Sequence, residues 1–410
     1  MIHRREFLGA ATLAALSPAI RSRGADTITV PARAVTKGPK HHFFGYYDKT
    51  PWDKTGRYLL AMETSFIDRQ PNATDALTLG MVDLKDNDKY IPFDTTLAWS
   101  WQQGTMLQWV GSAPEKEVAY NVLHDGKPAA AIRNVLDGKV RYLPMPIYAL
   151  SNDGKQAVTL DFARLHRLRP GYGYASYTER FADQPAPEEL GIWHMDVTTG
   201  KSSLIVSIAR LAANNTDARF PNTEHWVNHL QFNPAGTRFI FLHRWKKPNK
   251  GWDTRLYTAK PDGTDLRLHL DDGMVSHFDW RDDRTILAWA KTKKDGNKFY
   301  TVDVNSNEAT PVYSETTDRD GHCSYSPDRA WVLNDTYPDK SNFRHLMLLK
   351  AATGRRYDLN KFHSPPAVAG PFRCDLHPRW NRDGTMVCID SAHEPTRQMY
   401  VVDVREIVKS

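Results

Sequence analysis

The chain has 410 residues, 40% of them hydrophobic, and a formal net charge of +6. Such a length supports a sizeable core, and a mild positive balance without a dense Lys/Arg run argues against nucleic acid and for an anionic small or polymeric substrate. Three cysteines, Cys323, Cys374 and Cys388, are too few and odd in number for a disulfide framework.

The N-terminus reads "HRREFLGAATLAALSPAIRSRGA": Arg4-Arg5, then Phe7-Leu8, then a short apolar run ending in small residues. This is the twin-arginine type of export signal, which predicts a periplasmic or secreted protein and removes residues 1–25 from the fold. No stretch is long and apolar enough for a transmembrane helix, so no membrane span is expected. The remainder, 26–410, reads as one catalytic domain.

"DTITVPARAV", Asp26 to Val35, is a lone strand. After it one unit recurs: a strand, a polar turn and a second strand. The copies are "YYDKTPWDKTGRYLLAMET", "MLQWVGSAPEKEVAYNVL", "IYALSNDGKQAVTLDF", "NHLQFNPAGTRFIFLHR", "SHFDWRDDRTILAWAK", "HCSYSPDRAWVLNDT" and "LHPRWNRDGTMVCIDS". A third strand of alternating character follows each, as in "GIWHMDVTTGK" and "FYTVDVNSNEA". Four-stranded meanders recurring every roughly 45 to 60 residues mean an all-β, seven-bladed β-propeller. The last copy lacks a strand, so the N-terminal strand is predicted to complete the last blade.

Aligned on their turns, the repeats place His229 three residues before Phe232, His277 three before Trp280, His322 three before Tyr325 and His377 three before Trp380. First strands line the channel of a propeller, so one register means one height around the axis. Gathered neutral imidazoles suit a divalent ion, zinc ahead of manganese or calcium, with Cys323 beside His322 as a further ligand. A ring of histidines acting directly on an anion is the competing reading.

The start of each first strand and the end of each second strand share one rim. That brings together His42 and Tyr46, His124, Tyr148, Arg164, His166 and Tyr172, and His225 and Arg244. Of these, His42, Tyr46, His166, Tyr172, His225 and Arg244 are the candidate substrate-binding residues. The chain has no nucleophile elbow, phosphate-binding loop or dinucleotide fingerprint, and rim carboxylates are few. A cationic and aromatic rim suits an acidic sugar: neutralising the C6 carboxylate of a uronate lets a base remove the C5 proton, and an acid then protonates the departing O4.

The stretches "HHFFGYYDKTPWD", "NHLQFNPAGTRFIFLHRW", "GHCSYSPDRAWVLNDTYPD" and "DLHPRWNRDGTMVCIDSAHEPTRQMYVVDV" resemble the seven-bladed polysaccharide lyases, chiefly ulvan lyases and more distantly oligogalacturonate lyases. The resemblance implies β-elimination on a uronate-containing polysaccharide or oligosaccharide, such as glucuronate or iduronate next to rhamnose. It implies His124 and Tyr148 as acid and base and Arg164 against the carboxylate. It also implies a channel metal, structural zinc in one group and catalytic manganese in the other. A glycoside hydrolase cutting a rhamnose–glucuronate linkage, and a non-enzymatic periplasmic glycan-binding propeller, are the alternatives. A monomer is expected.

Overall fold

The repeat folds because its turn caps itself. In "NPAGT" the Asn233 side chain accepts from the backbone N–H groups of Thr237 (2.9 Å) and Arg238 (3.0 Å). Asn381 does the same for Thr385 (2.9 Å) and Met386 (3.0 Å), while Ser151 and Ser326 use their hydroxyls on Gln156 and Trp331, each at 3.0 Å. Gly236 follows with φ +69°, a left-handed backbone that a side chain would resist.

The computed structural model describes residues 25–214, 222–248 and 251–409, and within them seven sheets form the blades of a propeller. The fourth blade shows the plan: His225–Phe232, Phe239–Lys246, Trp252–Ala259 and Arg267–Leu270, each antiparallel to the next. Residues 1–24 of the predicted export signal lie outside the described residues. No helix among the described residues is long and apolar enough to cross a membrane.

The N-terminal stretch closes the ring differently from expectation. Ala32–Ala34 does pair antiparallel with Gln398–Asp403 and completes the seventh blade. Asp26–Thr27, however, runs parallel to Arg356–His363 as a fifth strand of the sixth blade. Pro31 lies between them; with no N–H to donate, it interrupts the ladder and lets the chain change sheets.

Indoles at the common register lock blade to blade. Trp280 donates to the Gln231 carbonyl of the preceding blade (3.2 Å), and Trp380 to that of Ser324 (3.3 Å). Both are almost fully buried. Burying about 200 Å² of indole stabilises by roughly 5 kcal/mol.

The stretch after Leu160 contains a helix, Phe162–Leu168, where a strand end was expected. Asp161 caps it, accepting from the Arg164 backbone N–H at 2.7 Å, and Phe162, Leu165 and Leu168 face the core at helical spacing. The helix ends at Arg169 and delivers Tyr172 towards the channel.

Candidate functional site

The shared histidine register is real in the backbone and in two blades coincides with a bulge. In the fourth blade the pairing shifts between Asn228 and Gln231, and in the fifth between Val275 and Phe278. His229 and His377 adopt φ +54° and +42°, conformations costing of order 1 kcal/mol or more for a side-chain-bearing residue. The bulges lie at His229 and His277, while His322 and His377 stand just ahead of the short strands Ser324–Tyr325 and Arg379–Trp380. Ring centroids of His277 and His322 are 4.1 Å apart, and those of His322 and His377 4.3 Å apart.

Donor atoms of His322, Asp375 and His377 all lie within 4.8 Å of one another, and all three residues are buried. The His322 ring donates Nδ1–H to Asp335 at 2.9 Å, leaving Nε2 buried without a partner. Neither ring nitrogen of His377 has a hydrogen-bond partner. Gly321 makes the approach possible, since a Cβ there would lie 1.9 Å from the Asp335 carbonyl oxygen. Asp320 faces His277 Nδ1 at 2.9 Å in the same way. Burial alone would raise the Asp375 pKa, but Arg373 and Arg344, each 2.7 Å away, hold it well below the usual carboxylate range.

Orphaned imidazole nitrogens, a buried carboxylate and carboxylates oriented behind the rings are the donor set of a divalent transition-metal site. The residues therefore fit such an ion. Cys323 is outside this group: its thiol packs in an apolar cluster with Leu287, Trp289 and Phe299. His229 is outside it too, stacked on Tyr46 with centroids 4.9 Å apart.

Tyr46 and Tyr47 cross the channel from the first blade. The Tyr47 hydroxyl donates to the Phe278 carbonyl of the fifth blade at 2.7 Å, and Tyr46 Oη lies 3.3 Å from His229 Nε2. Tyr172 stands edge-on to His229, its hydroxyl accepting from Arg373 at 3.0 Å. Arg169 lies over both the Tyr172 ring and the partly exposed Trp252 ring, 4.6 and 4.4 Å from their centroids. Arg244 is buried, with Nε and Nη1 unpartnered. Burial, with Arg169 adding to it, pushes the Arg244 guanidinium down to about 10. Among the described residues neither Arg244 nor Arg169 faces a carboxylate at ion-pair distance. An open depression of about 350 Å³, lined by residues including Arg319, Tyr337 and Lys340, adjoins Asp320.

Of the predicted residues, His229, His277, His322, His377, Tyr46, Tyr172 and Arg244 come together here. Of the predicted catalytic trio only Tyr148 borders this cluster, through the backbone of His229. His124 stacks on Tyr142 of the second blade's outermost strand, centroids 3.7 Å apart, and is 42% exposed. Tyr148 is buried, its hydroxyl donating to Asn228 (3.1 Å) while accepting from the His229 backbone N–H (3.0 Å) and from Gln103. Arg164 is spent on Glu179 (2.9 Å) and on the carbonyls of His225 (2.8 Å) and Pro185 (2.7 Å).

His225 pairs with His243, nitrogens 3.0 Å apart, and His42 is held by Gln398 (3.1 Å) and Glu63 (3.2 Å). His166 lies half-buried on the helix with Nδ1 unpartnered. Asp375, Arg373 and Asp320 were missed as site residues. Asp375 stands two positions before His377 in irregular backbone ahead of the short strand Arg379–Trp380, so no periodic pattern marks it.

Fold and site together define a seven-bladed propeller with an imidazole-lined channel mouth. No protein-family model matches the chain, and no curated protein matches it. Among solved structures it is similar to an oligogalacturonate lyase in complex with manganese, with TM-score 0.68 and 15% identity over 94% of this chain and 100% of that one. It is also similar to the oligogalacturonate lyase of Vibrio parahaemolyticus, with TM-score 0.65 and 15% identity over 93% of this chain and 98% of that one.

Proposed function

We propose that the protein is a lyase acting on uronate-containing oligosaccharides by β-elimination. One observation carries the reading: among the described residues Arg244 and Arg169 present buried or stacked guanidinium groups without carboxylate partners, beside an imidazole cluster with free nitrogens. Buried cations without anions are costly unless a ligand supplies the charge, and a uronate carboxylate is such a ligand. The neighbours' substrate, oligogalacturonate, and an ulvan-type glucuronate–rhamnose chain are the two substrates to compare.

In this reading Arg244 and Arg169 hold the C6 carboxylate, while Trp252 offers a face to the sugar ring. A divalent ion held by His322, His377 and Asp375 would add positive charge against the developing enolate. Burial raises the Tyr172 pKa, but Arg373 and Arg169 outweigh it and lower it, which suits Tyr172 to accept the C5 proton. The C5 electron pair forms the C4–C5 double bond and the C4–O4 bond breaks. Tyr46, kept protonated by burial, gives its proton to O4, with His229 Nε2 at 3.3 Å behind it. A hydrolase is less well served, because Asp320, Asp335 and Asp375 each already face a histidine or arginine.

The test is to incubate the protein, loaded with manganese or zinc, with oligogalacturonate and with ulvan fragments, following ultraviolet absorbance of the unsaturated uronate. Absorbance that grows with time supports the proposal. New reducing ends without absorbance would establish the hydrolase, and no turnover on any uronate would refute both.

A further inference from the structure

The charges around the imidazole cluster do not balance. Arg344 Nη1 and Arg373 Nε each lie 2.7 Å from an oxygen of Asp375, and Arg379 and Arg397 share Asp390 at 3.0 and 3.2 Å. Arg373, Arg379 and Arg397 act electrostatically on His377, and Arg244 and Arg169 on His229. Two further carboxylates face the rings, Asp335 on His322 and Asp320 on His277. Among the described residues, these six guanidinium groups thus stand against four carboxylates.

A divalent ion on His322, His377 and Asp375 would raise the excess from two positive charges to four. Arg344, Arg379 and Arg397 are no more than 2% exposed, so water screens them poorly. Such a site holds a cation weakly by itself. An anion arriving with the ion offsets part of the excess, so each favours the binding of the other by the same factor.

We infer that the ion and a carboxylate anion bind this mouth as a linked pair, the uronate carboxylate being that anion in the lyase proposed above. The inference rests on that reading for the identity of the anion, and on the charge count for the linkage. Arg169 is partly exposed and lies over the partly exposed Trp252 ring, so the anion reaches the unpaired guanidinium groups from solvent.

Calorimetric titration of the full chain with manganese tests this, alone and with saturating galacturonate, glucuronate, acetate or galactose. The single sugars carry no glycosidic bond at O4, so no turnover intervenes. The manganese Kd is expected to fall about fivefold or more with either uronate and to stay unchanged with galactose. Tightening by acetate as well supports the pairing, since charge is what it requires. Arg397→Met is the second arm. It leaves Asp390 with Arg379 at 3.0 and 3.1 Å, and an apolar chain suits the Phe43 and Trp101 rings, whose centroids lie 4.5 and 5.5 Å from the guanidinium. With one buried cation fewer, the variant should bind manganese more tightly by itself and respond less to uronate. Should it fail to fold, the wild-type titrations decide alone. A manganese Kd unmoved by uronate or moved equally by galactose, no manganese binding with or without uronate, or weaker binding in folded Arg397→Met overturns the inference. Linkage without cleavage of any oligosaccharide would refute the lyase and leave the inference standing.

Discussion

His322 is bound twice by Asp335: its backbone N–H donates to Oδ1 at 2.8 Å and its ring Nδ1–H at 2.9 Å. One carboxylate thus sets both the backbone position of the ring and its tautomer, and Nε2 is left as the free donor atom towards Asp375 and His377. Asp335→Asn is expected to weaken manganese and zinc binding by about 10- to 100-fold. Calorimetric titration reads this directly, and unchanged affinity for both ions would remove Asp335 from that role.

In the proposed lyase Arg244 serves binding at the expense of stability. Substituting Arg244→Met should lower turnover of a uronate substrate by about 100- to 1,000-fold, as expected for loss of a charged group that meets the developing anion. The same change should leave the melting temperature at or above that of the wild type, because it removes a buried, unpaired charge. A fall in Tm with turnover intact would reverse the assignment.

Arg164 should behave in the opposite manner. Removing it leaves Glu179 to Arg167 alone and strands several buried carbonyls, so Arg164→Ala is expected to cost about 3–5 kcal/mol by denaturant titration. His124→Ala, at the edge of its blade, should change stability by no more than about 0.5 kcal/mol and leave turnover alone. A large loss of turnover in His124→Ala would restore the original expectation for it.

Acid stability follows from buried histidines. Burial lowers the His269 pKa from 6.5 to about 4, against a smaller opposing effect of the hydrogen bond to Asn307. Below pH 6.5 the unfolded chain takes up a proton that the folded ring does not, so stability falls as pH drops from 6.5 towards 4. His269 alone accounts for roughly 3 kcal/mol of that fall. His269→Gln should flatten the profile in this window, measured by melting temperature against pH, while a slope identical to wild type would contradict the assignment.

The sequence by itself determined the architecture, because a β-blade is specified locally. Alternating apolar residues, capped Asn and Ser turns and an aromatic ring at one register recur often enough to count blades and to align His229, His277, His322 and His377. Which side chains are available for chemistry was decided only in three dimensions. Arg164 and Arg244 read alike in the chain, yet one is surrounded by carbonyls and a carboxylate and the other by aromatic rings and a second guanidinium. Whether a polar group is already satisfied depends on neighbours distant in sequence, such as Glu179 for Arg164 or Asp335 for His322, and no local pattern encodes that. The same holds for Tyr46 and Tyr47, whose contacts run from the first blade to the fourth and fifth.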